Sequence, residues 1–134
     1  MKIVRSIVLL SLVSCTQLAY AADADDRFWV GGGAGSVACP QFVASMEKGR
    51  SLGIGSVGYA EETQAFTMYL QGFRTGYNMS TQKTCDIFPE GEKDYQLLSW
   101  LENFCRANPS SRFGNAVVAL ARERHPKRQS VCAK

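Results

Sequence analysis

Five cysteines (Cys15, Cys39, Cys85, Cys105 and Cys132) and one histidine, His125, are the residues best able to do covalent or acid–base chemistry in this chain. Cys105 stands in "WLENFCRANPSSRFGNAVVAL", Trp100 to Leu120, and could serve as a nucleophile, a metal ligand or a cross-link. A nucleophilic cysteine needs a base in hydrogen-bond reach, itself oriented by a third group. His125 lies in "RERHPKRQ", Arg122 to Gln129, where neighbouring cations oppose its protonation and mark an exposed helix end. Structural zinc calls for closely spaced ligand pairs, whereas these cysteines lie tens of residues apart. The carboxylate pairs Glu61–Glu62 and Glu90–Glu92 fall at helix starts or in loops, where they suit the helix dipole or solvent. Gly31, Gly32, Gly33 and Gly35 lack the strand, helix and lysine of a phosphate loop. These patterns predict no catalytic residue, no metal and no cofactor; the chain reads as a non-enzyme.

The remaining reading is that the cysteines are staples. "MKIVRSIVLLSLVSCTQLAYAAD" has the charged start (Lys2, Arg5), the short apolar run (Ile7–Val13) and the Ala19-Tyr20-Ala21 site of an export signal. We expect a signal peptide over 1–21, a flexible glycine-rich lead-in over 22–38, and one helical domain over 39–134. "LVSC", Leu12 to Cys15, has the form of a lipobox, so lipidation at Cys15 is the lesser alternative. Cleavage after Ala21 leaves Cys39, Cys85, Cys105 and Cys132, an even count that in an exported chain points to two disulfides. Cleavage also removes Lys2 and Arg5, so the formal charge falls from +3 to +1. The basic pI is then no argument for nucleic acid, and no membrane contact is expected unless Cys15 is lipidated.

Apolar spacing predicts four helices. The first runs from Pro40 to about Lys48 with Phe42, Val43 and Met46 inward, and Gly49 is expected to end it. The second runs from about Glu61 to Asn78, with a stripe of Phe66, Tyr69, Leu70, Phe73 and Tyr77. That stripe suits a core, or else a face for a partner formed by Phe66, Tyr69, Phe73 and Tyr77. Gly72 and Gly76 are expected to let another backbone come close. "STQKTCDIFPEGEKD" reads as a polar loop. The third helix starts at Asp94 as N-cap, buries Leu97, Leu98, Leu101, Phe104 and Cys105, and stops at Asn108-Pro109. Ser110 or Ser111 caps the fourth, with Phe113, Ala116, Val117, Leu120 and Ala121 inward and His125-Pro126 closing it. The fold class is all-α: a small four-helix bundle, orthogonal or antiparallel, stapled by disulfides.

Geometry ranks the three connectivities. Helices three and four are joined by the short "NPSS" turn and should run antiparallel, which brings the end of helix four near the start of helix three. Cys132 should then reach Cys85, leaving Cys39 for Cys105.

"CPQF", Cys39 to Phe42, with "FCRANPSSRF", Phe104 to Phe113, resembles the HdeA-type acid-stress chaperones. That resemblance implies a Cys39–Cys105 disulfide and binding of denatured periplasmic proteins once acid loosens the fold. "QGFRTGYN" (Gln71–Asn78), "CDIFPEG" (Cys85–Gly91) and "NPSSRFGNAVVAL" (Asn108–Leu120) resemble the Tai-type immunity proteins of type VI secretion. That resemblance implies neutralisation of a toxin in the periplasm. The leading expectation is thus a periplasmic, non-enzymatic protein-binding protein of the chaperone type, with the immunity role as the alternative. Its partner is another protein, a homodimer stays open, and the binding surface is the aromatic face of helix two or an apolar groove beside it.

Overall fold

The computed structural model describes residues 32–88 and 91–132. The expected signal peptide, the lipidation alternative at Cys15 and the first part of the lead-in lie outside them, as does Glu90. Four helices follow one another: α1 (Cys39–Ser51), α2 (Val57–Ser80), α3 (Asp94–Ala107) and α4 (Phe113–Arg124). A 3-10 turn precedes them at Gly33–Ser36 and another follows at His125–Lys127. Among the described residues there is no strand, only the isolated antiparallel bridges Ala38–Arg112 and Asp86–Gln129.

α1 packs against both α2 and α3, α3 packs against α4, and the first 3-10 turn is wedged against α2 and α4. The centre is a triangle of phenylalanines from three helices. Ring centroids of Phe42, Phe66 and Phe113 lie 4.6–4.9 Å apart, in tilted and edge-on pairs that suit the ring quadrupole. Met46, Leu70, Leu97, Leu98, Leu101, Val117 and Leu120 fill the surrounding space, each almost fully buried.

Both disulfides form with the ranked connectivity. Cys39–Cys105 ties the head of α1 to the last turn of α3, and Cys85–Cys132 ties the α2–α3 loop to the chain end.

Several local expectations are corrected. Gly49 does not end α1. It is buried inside the helix, where a Cβ would lie 3.2 Å from the Tyr59 ring, so its smallness lets α1 and α2 close up. The stop comes at Gly53, whose φ of +94° favours glycine. α2 starts at Val57 because Ser56 caps it, its Oγ accepting from Tyr59 N–H at 3.0 Å. Lys93, not Asp94, is the N-cap of α3, where its N–H donates to Gln96 Oε1 at 2.8 Å. Asp94 instead accepts from Gln71 of α2. Neither Ser110 nor Ser111 caps α4. Phe113 N–H donates to Val37 C=O (2.9 Å) and Cys39 N–H to Ser111 C=O (3.0 Å), so the two chain segments satisfy each other. The lead-in over 32–38 is therefore packed rather than loose. Gly35 is buried so tightly that a Cβ would lie 2.4 Å from the Tyr69 ring, closer than contact allows.

The loop read as polar also contributes to the core: Ile87 and Phe88 are fully buried. Asp86 and Asn78 hold them there. Asp86 accepts from Arg74 Nε (2.8 Å) and Phe88 N–H (3.2 Å), and Asn78 Oδ1 accepts from Ile87 N–H (2.9 Å).

Candidate partner-binding surface

The aromatic stripe proposed for a partner is spent on the fold. Phe66 is buried in the phenylalanine triangle, while Tyr69, Phe73 and Tyr77 are half-buried against the core. Tyr69 meets Phe113 edge-on, and Phe73 lies beside Tyr77. Tyr77 Oη lies 2.7 Å from His125 Nδ1, tying α2 to the end of α4. A shallow groove of about 410 Å³ lies between α3 and α4, not beside α2, lined by Phe104, Val118, Ala119 and Arg122.

The opposite face of α2 is the unusual one. Val57, Glu61, Ala65, Met68, Gly72, Gly76 and Met79 share it at helical spacing, and all are exposed. Met68 is 66% exposed, Val57 76% and Met79 85%, values normally reserved for polar residues on a solvent face. A Cβ added at Gly72 or Gly76 would meet nothing within 4 Å, so the expected close backbone approach does not occur within this chain. The α1–α2 turn extends the surface with exposed Leu52 and Ile54. Positive φ at Gly53 and Gly55 folds the turn tightly and puts Ile54 at its tip.

Charge is removed from the neighbourhood by pairing. α2 has three charged residues in its 24. Glu62 pairs with Lys48 of α1 at 2.5 Å, and Arg74 with Asp86. Only Glu61 remains on the outward face. Between α1 and α3, buried Glu102 takes both terminal nitrogens of Arg50 (2.5 and 2.8 Å) and Arg106 (2.6 Å), and Arg106 also reaches Glu47 (2.7 Å). Such bidentate pairs are geometrically specific.

The remaining candidates for chemistry are likewise engaged. Cys39, Cys85, Cys105 and Cys132 are all in disulfides. Glu92 pairs with Arg124 at 3.0 Å. No group of three or more metal-ligating side chains occurs among the described residues, and no described helix is long and apolar enough to cross a membrane. No protein-family model, no curated protein and no solved structure matches this chain.

Three titrating groups couple these contacts to pH. Hydrogen bonds from Arg50 hold the Glu102 carboxyl below its ordinary 4.5, against its burial and with help from Arg106. Burial works against ionisation of Asp86, but hydrogen bonds from Arg74, Phe88 N–H and Asn78 outweigh it and hold the carboxyl below 3.8. Burial, with Arg128 nearby, lowers His125 from 6.5. In each case the unfolded chain binds the proton more readily, so the stabilisation is complete above the ordinary value and lost as pH falls through the lowered one. Urea midpoints should therefore decline in two steps, the first below pH 6.5 and the second below about pH 4. His125→Gln should remove the first step alone; a midpoint independent of pH between 6.5 and 5 in the parent protein would contradict the assignment.

Proposed function

We propose that this protein is a non-catalytic, protein-binding module of the periplasm that engages one folded partner through the outward face of α2 and the α1–α2 turn. The observation behind it is the row Val57, Met68 and Met79 with Leu52 and Ile54, large apolar side chains exposed on a surface with a single carboxylate. Exposed apolar patches of this kind on a small domain mark interaction sites. Two disulfides fit an oxidising compartment outside the cytoplasm. Methionines suit such a role because their flexible side chains adapt to a partner's contour, and the glycines between them leave a flat saddle. The complementary partner offers an apolar ridge with a cation opposite Glu61.

A preformed surface on a cross-linked bundle favours the immunity-type reading, in which one partner is bound at neutral pH. The chaperone-type reading needs apolar surface that acid uncovers, and the pH-dependent contacts of His125, Glu102 and Asp86 are what support it. Capture from the protein's own envelope extract at neutral pH decides between them. We expect one partner at stoichiometric yield, lost in Met68→Glu/Met79→Glu while helical content is unchanged and retained in Lys127→Ala. Equal capture by the doubly charged variant rejects the α2 surface. Suppression of client aggregation confined to low pH, with nothing bound at neutral pH, returns the chaperone role.

A further inference from the structure

The two disulfides occupy opposite surroundings. Cys39 and Cys105 are fully buried, 0% and 1% exposed, between α1 and α3. Cys132 is exposed and Cys85 half-buried, at the edge of the molecule. The segment Arg128–Cys132 lies as an extended strap across residues 84–86. Cys85 N–H and Asp86 N–H both donate to Gln129 C=O (2.8 and 3.1 Å), and Gln129 N–H donates to Asp86 C=O (2.8 Å). Arg128 Nε donates to Thr84 Oγ1 at 3.0 Å. The loop beneath has a second, independent anchorage. Asp86 is held by Arg74 and Asn78 of α2, and Ile87 and Phe88 are plugged into the core. The strap can therefore leave without taking the loop with it.

We propose that Cys85–Cys132 is a reducible latch, which a dithiol reductant opens in the folded protein to release the strap while Cys39–Cys105 stays closed. A thiolate of the dithiol attacks the exposed Cys132 sulfur. The Cys85–Cys132 bond breaks as the mixed disulfide forms, and Cys85 leaves as a thiolate and takes up a proton. The dithiol's second thiolate then attacks its own mixed-disulfide sulfur. Cys132 departs as a thiol after protonation, and the dithiol is oxidised to its disulfide, two electrons having passed to the protein. In-line approach to a sulfur governs this exchange, and the burial of Cys39 and Cys105, 0% and 1% exposed, opposes it there far more than at Cys132. Opening the latch frees the backbone groups of Cys85 and Asp86 that the strap now covers. An uncovered extended edge of that kind can pair with another chain. This inference goes beyond the binding role proposed above and does not rest on it.

The test is a dithiothreitol titration of the oxidised protein at neutral pH, quenched with iodoacetamide and read by peptide mass. Cys85 and Cys132 should be alkylated at a reductant concentration at least about tenfold below that needed for Cys39 and Cys105. At that stage, amide exchange should accelerate at Cys85, Asp86 and Gln129 while α1, α3 and α4 stay protected. Cys85→Ser/Cys132→Ser should show the same exchange pattern with helical content retained at room temperature, though at a lower melting temperature. Simultaneous alkylation of all four cysteines overturns the proposal, as does earlier alkylation of Cys39 and Cys105. Loss of the helices in the double variant, or unchanged exchange at the strap, overturns it equally.

Discussion

Replacing Cys39 and Cys105 together by alanine should lower the unfolding free energy by about 4 kcal/mol, the chain-entropy value for a loop of this length. The bond spans 66 residues of sequence with Cα atoms 4.8 Å apart. It joins the two helices that the Glu102 ion network also links, so its loss leaves the ion pairs with Arg50 as a noncovalent tie between them. Small domains have net stabilities of about 5–15 kcal/mol, so a large share of the total is at stake. Urea denaturation of the double variant against the parent measures it. A loss under about 1 kcal/mol would mean that the unfolded chain is already constrained as strongly without the bond.

The second large effect is expected at Phe113. Its ring meets Phe42, Phe66 and Tyr69, so one truncation opens a void at the junction of α1, α2 and α4. Phe113→Ala should cost about 3–5 kcal/mol, the usual range for a buried phenylalanine. The upper part of that range is favoured because Phe113 N–H is bonded to Val37 C=O, which fixes the start of α4 and hinders collapse into the gap. Phe113→Leu should cost markedly less, since it keeps most of the volume. Equal losses for the two substitutions, compared by urea denaturation, would show that ring shape, not filled space, governs the site.

Much of this architecture is legible in the chain. The inward stripes of α3 and α4 follow helical spacing closely, because each element is long enough for its period to show. Ile87 and Phe88 are hidden for the opposite reason: two apolar residues between Asp86 and Pro89 have no period to read. Their burial depends on Asp86 and Asn78, partners that only the folded chain brings together. Glu102 does leave a signal, a carboxylate one residue after Leu101 inside an apolar stripe. Arg106, four residues on along the same helix, is legible as its partner, but Arg50, 52 residues away, cannot be assigned without the fold. The caps of α1 and α4 escape notice because backbone groups of two distant segments replace the usual side-chain caps. The outward face of α2 is also written in the sequence, as three charges in 24 residues, but the aromatic stripe on the other side is the stronger pattern and masks it. Gly72 and Gly76 stand out as unusual inside a helix, and it is the surface, not the interior, that they shape.

The connectivity of the two disulfides has a consequence for how this chain would mature on the export route proposed above. In sequence order the bonds interlace, first cysteine to third and second to fourth among the four, with Cys85 lying inside the span closed by Cys39 and Cys105. A polypeptide delivered N-terminus first to an oxidant presents Cys39 and Cys85 together before Cys105 arrives. Prompt oxidation then joins the wrong pair. The native pattern demands either that oxidation wait until α3 has docked on α1, or that an isomerase reshuffle the early bond, which makes the yield of correctly paired protein depend on the timing of its oxidation.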